Sequence, residues 1–376
     1  MRKWFIAHLK RQLIDNFGSN QLGFRPGSST TAALISVYDT ITRLLDLPDV
    51  NGVQLTSYDY SKAFDTLNHD IIINRVIDAN FPSGFVLWLL NYLRNRVQQV
   101  RIGDSLSHRL AITSGVPQGS IIGPALFNVV INDLTFESLP MSLSTLTKYA
   151  DDTTSISPLF KNKNNVHILE EYKHITKWSE YNHLTINEKK SKSIVFATSP
   201  SVSGIQLPGI PIVNDLKLLG VTFSSDLSWC KHIDNIVSIS SRRLYALRVI
   251  KPFVSKDFLL TVYFAIVRNL VEYCSPLLVG INTKLSAKLD QIQRRAHRII
   301  CDQNCDCDRL PPLVHRRCSA AKKLVLLSLH DAEHLLHSLL PRASASKRND
   351  IRFLLEPYST SRRQTSCIPY TCINLI

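Results

Sequence analysis

Glycine is in short supply: the chain of 376 residues has 13. With 44% apolar residues, that scarcity argues for globular folding and against disorder. No uninterrupted apolar run approaches about 20 residues, so no spanning helix is expected. No signal peptide is evident, and the stretch from Trp4 to Ile14 is amphipathic at best. Internal repeats are lacking. The 8 cysteines are scattered without the spacing of a secreted framework, which makes reduced thiols the default. Acidic residues are the scarcer charge, 30 against 44 Lys and Arg, for a net +14 and a pI near 9.4. Such an excess suits a polyanion, because Lys and Arg on phosphates release counterions. A membrane surface is the other partner that such charge serves. A chain this long buries sizeable cores and holds more than one domain or lobe.

What is present is more specific. Tyr149-Ala150-Asp151-Asp152 sets two adjacent carboxylates between an aromatic and a run of Thr and Ser. On a strand, neighbouring side chains point to opposite faces. A tight turn between two short strands brings both acids to one rim, where like charges repel and a bound divalent cation is the usual remedy. A solvated Asp-Asp turn is the plain alternative. Upstream, Val53 to Tyr58 is β-prone and partly alternating, and Asp59 falls at its end. Asn68-His69-Asp70 then reads as a polar cap on a helix through Ile77. An acid between a strand and a helix is where α/β-type sheets place functional groups, although a turn acid serves equally.

Between these sites lies Ser114-Gly115-Val116-Pro117-Gln118-Gly119-Ser120-Ile121-Ile122-Gly123-Pro124, followed by helical apolar spacing from Ala125 to Leu134. Glycine permits close approach of the backbone to a ligand, and Gln118 offers an amide donor and acceptor. An ordinary loop would not concentrate three glycines and two prolines in ten positions.

These three segments stand in the order and wording of reverse transcriptases. The chain resembles those of non-LTR (LINE-type) retrotransposons, nearest the jockey-like group. Three further matches extend the resemblance: Gln21-Leu22-Gly23-Phe24-Arg25-Pro26-Gly27-Ser28-Ser29-Thr30 to the fingers motif, Leu184 to Ser191 to the palm lysine motif, and Leu218-Leu219-Gly220-Val221 to the primer grip. The likeness runs from about Gln21 to Trp229 and continues more loosely through a helical region.

The resemblance implies an α+β fold: a right-hand polymerase with partial fingers, an antiparallel-sheet palm carrying the acids, and a helical thumb. The implied boundaries are fingers over 1–52, palm with a fingers insertion over 53–228, thumb over 229–305, and a truncated basic, cysteine-containing segment over 306–376. It implies an RNA-directed DNA polymerase joining dNTPs to a DNA primer on an RNA template, within an intracellular ribonucleoprotein. Asp59, Asp151 and Asp152 would hold two Mg2+ ions, with Mn2+ as a substitute, roughly 3.5–4 Å apart as in other two-metal sites. Lys190 would protonate the leaving pyrophosphate. Lys189 and Lys192 stand near enough in sequence to compete for that part. Phe64 would lie under the incoming sugar, or else be a core residue. Gln118, Gly119 and Tyr149 would line the nucleotide or template, and Arg25 would grip triphosphate or contact nucleic acid. Asp65 is matched as a structural residue.

Three rivals remain. One is a non-catalytic nucleic-acid-binding remnant, one a group II intron maturase, and one an RNA-templated RNA polymerase, which Phe64 disfavours. Family members carry an endonuclease and more fingers before the Gln21 motif, so a fragment is expected. Cys301, Cys305, Cys307, His315 and Cys318 could be drawn into a zinc site, but their spacing departs from common zinc motifs.

Local patterns predict helices over residues 1–20, 30–45 (capped by Ser28 or Ser29), 84–96, 166–181, 233–250, 257–272 and 283–300. Phe85, Leu87, Trp88, Leu89 and Leu90 are expected in the core. A hairpin is predicted around Gly103-Asp104 and strands over 193–196 and 217–223. Arg242, Arg243, Arg248, Arg294, Arg295, His297 and Arg298 are spread over the later helices, for phosphate contact or for a solvated face.

Overall fold

The computed structural model describes residues 18, 20–25, 27–137, 139, 143–197, 199–301, 311–345, 351–354 and 361–374. In chain order the elements begin with α1 (Thr30–Asp46), β1 (Val50–Tyr58), α2 (Ala63–Thr66), α3 (His69–Asp78) and α4 (Ser83–Leu93). Four two-residue strands follow, β2 (Val97–Gln98), β3 (Arg101–Ile102), β4 (Ser105–Leu106) and β5 (Leu110–Ala111). Next come α5 (Gly123–Ile131), β6 (Thr145–Tyr149), β7 (Asp152–Phe160), α6 (His167–Tyr181) and β8 (Lys192–Ala197). The hairpin β9 (Asp215–Leu218) and β10 (Val221–Ser224) leads into helices α7 (Cys230–Ile250), α8 (Lys256–Val262), α9 (Asn269–Glu272), α10 (Thr283–Ile300) and α11 (Leu313–His330). Strands β11 (Arg342–Ala345) and β12 (Ile351–Leu354) and helices α12 (Ser361–Gln364) and α13 (Cys367–Asn374) close the chain. The predicted helix over residues 1–20 lies outside the described residues.

Val, Leu, Thr and Tyr suit a pleated strand, and β1 sits inside a four-stranded antiparallel sheet of order β6-β7-β1-β8. Both faces of that sheet are covered. On one, Val53, Leu55, Ile156, Ile194 and Phe196 meet Leu34, Ile35 and Ile41 of α1. Each such side chain contributes roughly 1.5–3 kcal/mol when buried. The other face carries Gln54, Thr56, Ser155, Ser157 and Ser193, all buried. These polar groups are satisfied in place. Thr56 and Ser193 hydroxyls meet at 2.8 Å, Ser157 donates to Glu171 of α6 at 2.6 Å, and the Gln54 amide donates to Ile205 O at 2.9 Å. A hydrogen-bonded polar stripe is tolerated inside; an unpaired one is not.

Several expectations hold closely. Ser29, not Ser28, caps α1 by accepting from Ala32 N, and Asn68 caps α3 through Asp70 N and Ile71 N. The helix over 283–300 is found with those bounds. The helix over 257–272 continues through α8 and α9 but widens to a π-helical turn at Tyr263–Arg268. Others are corrected. The predicted strand over 217–223 is two strands, folded at Leu219 and Gly220, whose φ of 44° and 86° make a two-residue left-handed turn. Leu87 is 61% exposed, because the buried face of α4 is Phe85, Leu89 and Leu93 at helical spacing.

Residues beyond Leu313 are built into the main core. Ala321, Val325, Leu336, Cys367 and Ile368 share a cluster with the β1 face that meets α1. Arg363 of α12 lies 3.4 Å from Asp46 and 3.8 Å from the buried Asp39, both on α1. Arg43 completes the arrangement at 2.6 Å from Asp39. Burial raises the Asp39 pKa, and the two guanidiniums oppose that rise. A separate helical core joins α7, α8 and α10 through Ile233, Leu244, Leu259, Leu289 and Ile292.

Backbone close approach fixes one detail that matters at the site. Gly23 lies against the Tyr149-Ala150 turn, where a Cβ would stand 2.9 Å from the Tyr149 carbonyl carbon. Gly23→Ala is therefore expected to lower stability by roughly 1–3 kcal/mol, the range for overpacking. Urea denaturation reads this, and an unchanged midpoint and slope would contradict it.

Candidate active site

Antiparallel register decides where the acids stand. Tyr58, the last residue of β1, pairs with Thr153. Asp152 precedes Thr153 and pairs with Tyr149 across the β6-β7 hairpin. Asp59 and Asp152 are thus neighbours at one end of the sheet, and Asp151 lies in the turn beside them. The turn is made possible by Ala150 at φ 58°, a left-handed conformation uncommon for alanine. Ala150 is buried, and Gly23 leaves room for it.

The carboxylates feel one another. Burial first, then the charges of Asp151 and Asp59, push Asp152 up to about 6. Asp151 is also raised, by burial and then by Asp59, against a backbone hydrogen bond that lowers it. As the side chains stand, no group of three or more His, Cys, Asp or Glu among the described residues could hold a metal ion. The acids share a rim but do not close into a ligand set.

The segment after α6 wraps around Asp59. Asn187 N donates to Asp59 O at 2.7 Å, Asp59 N donates to Ser191 Oγ at 3.0 Å, and Ser191 Oγ donates to Asn187 O at 2.9 Å. This closed set carries Lys190 Nζ to 3.9 Å from Asp59 Oδ2. Lys192 is instead on β8, paired with Ser57.

The glycine-rich loop is pressed onto α2. Gly115 N donates to Leu67 O at 2.7 Å and Val116 N to Phe64 O at 2.8 Å. A Cβ on Gly115 would stand 2.6 Å from Asp65 O, and its φ is 82°. His69 Nε2 contacts Gly115 O at 2.8 Å. Gln118 is exposed, and its amide nitrogen donates to Asp65 Oδ1 at 2.6 Å. An ionised carboxylate only accepts, so this contact turns the Gln118 carbonyl oxygen away from Asp65. Gly119 has φ 76° with open space around it. Phe64 is half-buried and stacks on Phe127, centroids 4.5 Å apart. Tyr149 is half-buried, and burial raises its pKa. Arg25 lines a different cavity, of about 360 Å³, with Ser28, Glu333, His334 and His337.

Asp65, matched in the sequence as a structural residue, holds Gln118. Two contributors to this arrangement escaped the sequence reading. Asn128 accepts from the Gln21 amide at 3.0 Å and donates to Gly23 O at 2.8 Å. Lys148 is fully buried, and its Nζ donates to the carbonyls of Ile131, Asn132 and Leu134 at 2.7, 3.1 and 2.9 Å. Burial lowers the Lys148 pKa to about 7, while Asp133 opposes that shift. The available signal was a polar residue interrupting the apolar run of α5 at Asn128; Lys148, set between Thr147 and Tyr149 in β6, gave none.

A zinc site, already disfavoured by its spacing, meets a further obstacle. Cys301 is disulfide-bonded, an exception to the default of reduced thiols. Cys305 and Cys307 lie outside the described residues, and Cys318 is a free thiol.

Asp152 has a folded-state pKa near 6 against an ordinary 3.8. The folded state therefore binds that proton more tightly, and stability declines as pH rises from about 4 to about 6. Asp152→Asn is expected to melt above the wild type at pH ~7.5 and no higher at pH ~4. Thermal scans at both values check this, and a gain at pH 4 alone would refute it.

Comparison with known proteins follows the same lines. The profile of the family described as reverse transcriptase (RNA-dependent DNA polymerase) matches residues 1–223, more than half of the chain. Among similar curated proteins is the probable RNA-directed DNA polymerase from transposon BS of Drosophila melanogaster, 28% identical over 61% of this chain and 26% of that protein. The RNA-directed DNA polymerase from the mobile element jockey of the same species is 28% identical over 47% of this chain and 20% of that protein. The chain thus spans about a quarter of the length of these relatives. Among solved structures, telomerase from Candida albicans bound to a telomeric RNA fragment is 12% identical, with a TM-score of 0.44 over 89% of this chain and 57% of that one. No described helix is long and apolar enough to cross a membrane. The resemblance to polymerases of non-LTR elements is borne out by these relatives, and the chain belongs to the reverse transcriptase (RNA-dependent DNA polymerase) family.

Proposed function

We propose that this chain is the polymerase part of an RNA-directed DNA polymerase of a non-LTR retrotransposon, extending a DNA primer on an RNA template. The observation that carries the reading is the meeting of Asp59 with the Asp151-Asp152 turn at one end of the sheet, with their charges coupled. In this reading the β6-β7-β1-β8 sheet with α3, α5 and α6 is the palm. Helix α1 and the Gln21 loop belong to the fingers, and α7 to α10 form the thumb. The boundaries 1–52, 53–228, 229–305 and 306–376 carry over as the proposed division.

The donor set fits a hard divalent cation. It is all carboxylate oxygen, and burial, with the neighbouring carboxylate charges second, raises Asp151 and Asp152, a cost of ionisation that a bound cation relieves. Asp59, Asp151 and Asp152 would hold two Mg2+ ions, or Mn2+, whose bound chemistry is activation of the primer hydroxyl and neutralisation of developing charge. Around them the chain's own residues orient the substrate. Phe64, buttressed by Phe127, sits under the sugar and excludes a 2′-hydroxyl. Gln118, held by Asp65, presents its carbonyl oxygen to the nucleotide or template, and Gly119 leaves the backbone open beside it. Tyr149 borders the primer end. Lys190 donates a proton to the leaving pyrophosphate, beside Asp59. Arg25 contacts nucleic acid or triphosphate from the neighbouring cavity.

Primer extension with dNTPs on an RNA template, with and without Mg2+, tests this. The wild type is expected to extend only with the metal, and Asp151→Ala to drop to background while melting like the wild type or higher. Extension undiminished in Asp151→Ala rejects the assignment. Nucleic-acid binding with no incorporation under any condition favours a non-catalytic remnant. Asp65→Ala is expected to raise the KM for dNTP severalfold, since one hydrogen bond is worth about 0.5–1.5 kcal/mol. Asp65→Asn, which keeps an acceptor, restores it.

A further inference from the structure

Tyr273, the residue after α9, reaches back from the helical region to the β9-β10 turn. Its hydroxyl donates to Leu219 O at 2.7 Å. The β9-β10 ladder ends with Leu218 opposite Val221, so that carbonyl lies in the turn, beyond the strand pairs. The ring covers the next residue: a Cβ on Gly220 would stand 3.1 Å from Tyr273 Cε1. Both ends of this contact are held in uncommon backbone. Leu219 has φ 44°, and Cys274, which follows Tyr273, has φ 52°. Left-handed residues other than glycine persist where their surroundings over-determine them, and they cluster at functional sites. Thr31 Oγ1 donates to Cys274 Sγ at 3.5 Å, which ties the same corner to the first turn of α1.

The corner is braced from behind. Glu272, adjacent to Tyr273, accepts from Arg268 Nε at 2.7 Å and from Arg316 Nη2 of α11 at 2.8 Å. Arg268 ends the π-helical turn before α9, and such turns are frequent at functional sites. In front, the turn faces the acids: Leu218 and Leu219 share a small cavity with Tyr149 and Asp152. Burial raises the Tyr273 pKa, Thr30 opposes the rise, and Cys274 and then Tyr149 add to it. The phenol therefore stays a donor near neutral pH. A phenylalanine would fill the same half-buried space, so packing alone does not call for the hydroxyl.

We propose that Tyr273 is a positioning residue for nucleotide addition: its hydroxyl fixes the β9-β10 turn, and through it the primer end, against Tyr149 and the acids. The inference rests on the polymerase reading and on the likeness of Leu218-Leu219-Gly220-Val221 to a primer grip, and it adds a residue outside every motif that carries that likeness. Tyr273 acts through the turn carbonyl, not on a reacting group. The nucleotide side of the site is held by separate contacts, Phe64 on Phe127 and Gln118 on Asp65. Loosening the turn therefore misplaces the primer hydroxyl and leaves dNTP binding as it was. A small misplacement of a reacting group slows the chemical step steeply.

The test is single-turnover addition of one dNTP by the full chain, in excess over a primer-template and with Mg2+ present, which separates nucleotide binding from chemistry. Tyr273→Phe removes the hydroxyl and keeps the ring. It is expected to lower the maximal rate about two- to tenfold, the span of one hydrogen bond, with the Kd for dNTP unchanged and thermal melting like the wild type. Gly220→Ala, which presses a Cβ on the ring, is expected to slow the same step. The double variant is expected to lose less than the product of the two losses, because both act through one turn. A Tyr273→Phe chain that melts lower at an unchanged maximal rate has lost only a support of the fold, and that overturns the proposal. Losses that multiply, or a weaker Kd for dNTP at an unchanged rate, overturn it as well. Extension by the wild type with Tyr273→Phe its equal sinks this inference alone, whereas a wild type that extends nothing sinks the polymerase reading and this inference with it.

Discussion

The pairing of β1 with both β7 and β8 is the constraint on which the site depends. Register in an antiparallel sheet is exact to one residue, and a slip by one turns every side chain to the other face. Here a slip would do two things at once. It would carry the Val53 and Leu55 face away from α1, and it would move Asp59 out of line with Asp152. The apolar core on the α1 side and the polar stripe on the α6 side therefore hold the register jointly. Neither alone would be decisive, since a stripe of Thr and Ser tolerates slippage and an apolar face does not choose between equivalent partners. Together they specify one alignment, and the acids follow from it.

A second layer of control runs through α5. Its N-terminus follows directly from the loop that bears Gln118 and Gly119, with Ser120 Oγ accepting from Gly123 N at 3.0 Å. Its middle holds the Gln21 loop through Asn128, and its C-terminal carbonyls receive the Lys148 ammonium. Three segments distant in sequence are thereby referred to one rigid element. Displacing α5 would disturb the glutamine loop, the Gly23 contact and the acid turn together. Substitutions in its buried face thus bear on chemistry as well as on packing.

Much of this was legible in the sequence, and the exceptions have physical reasons. Asp59, the Asp151-Asp152 turn and the glycine-rich loop stood out because each couples an unusual residue type with a special backbone. Caps at Ser29 and Asn68 were legible because short polar side chains compete for free N–H groups. Lys148 and Asn128 were not, because an isolated polar residue reads as a solvent-facing position unless its distant acceptors are known. The β9-β10 hairpin was read as one strand, since Leu219-Gly220 gives a weaker turn signal than Asn-Gly, and leucine rarely takes positive φ. Beyond Leu313 the apolar stretch Leu324 to Leu327 was visible, but only packing against α1 and the β1 face reveals that it closes a core.

Lys148 shows why such a residue is retained at all. A methionine of similar length would bury without desolvation cost, but it would remove three hydrogen bonds from a charged donor to carbonyls at and just beyond the end of α5, each worth about 1.5–3 kcal/mol. An ammonium has three N–H groups for three acceptors, and the partial negative charge of a helix C-terminus favours a cation there. A neutral amine has only two such donors, so the geometry resists the deprotonation that burial promotes. The charge is one residue from Tyr149 and three from Asp151. It therefore anchors the hairpin by a contact that apolar packing cannot imitate: directional, fixed at three points, and placed behind the turn whose carboxylates face outward.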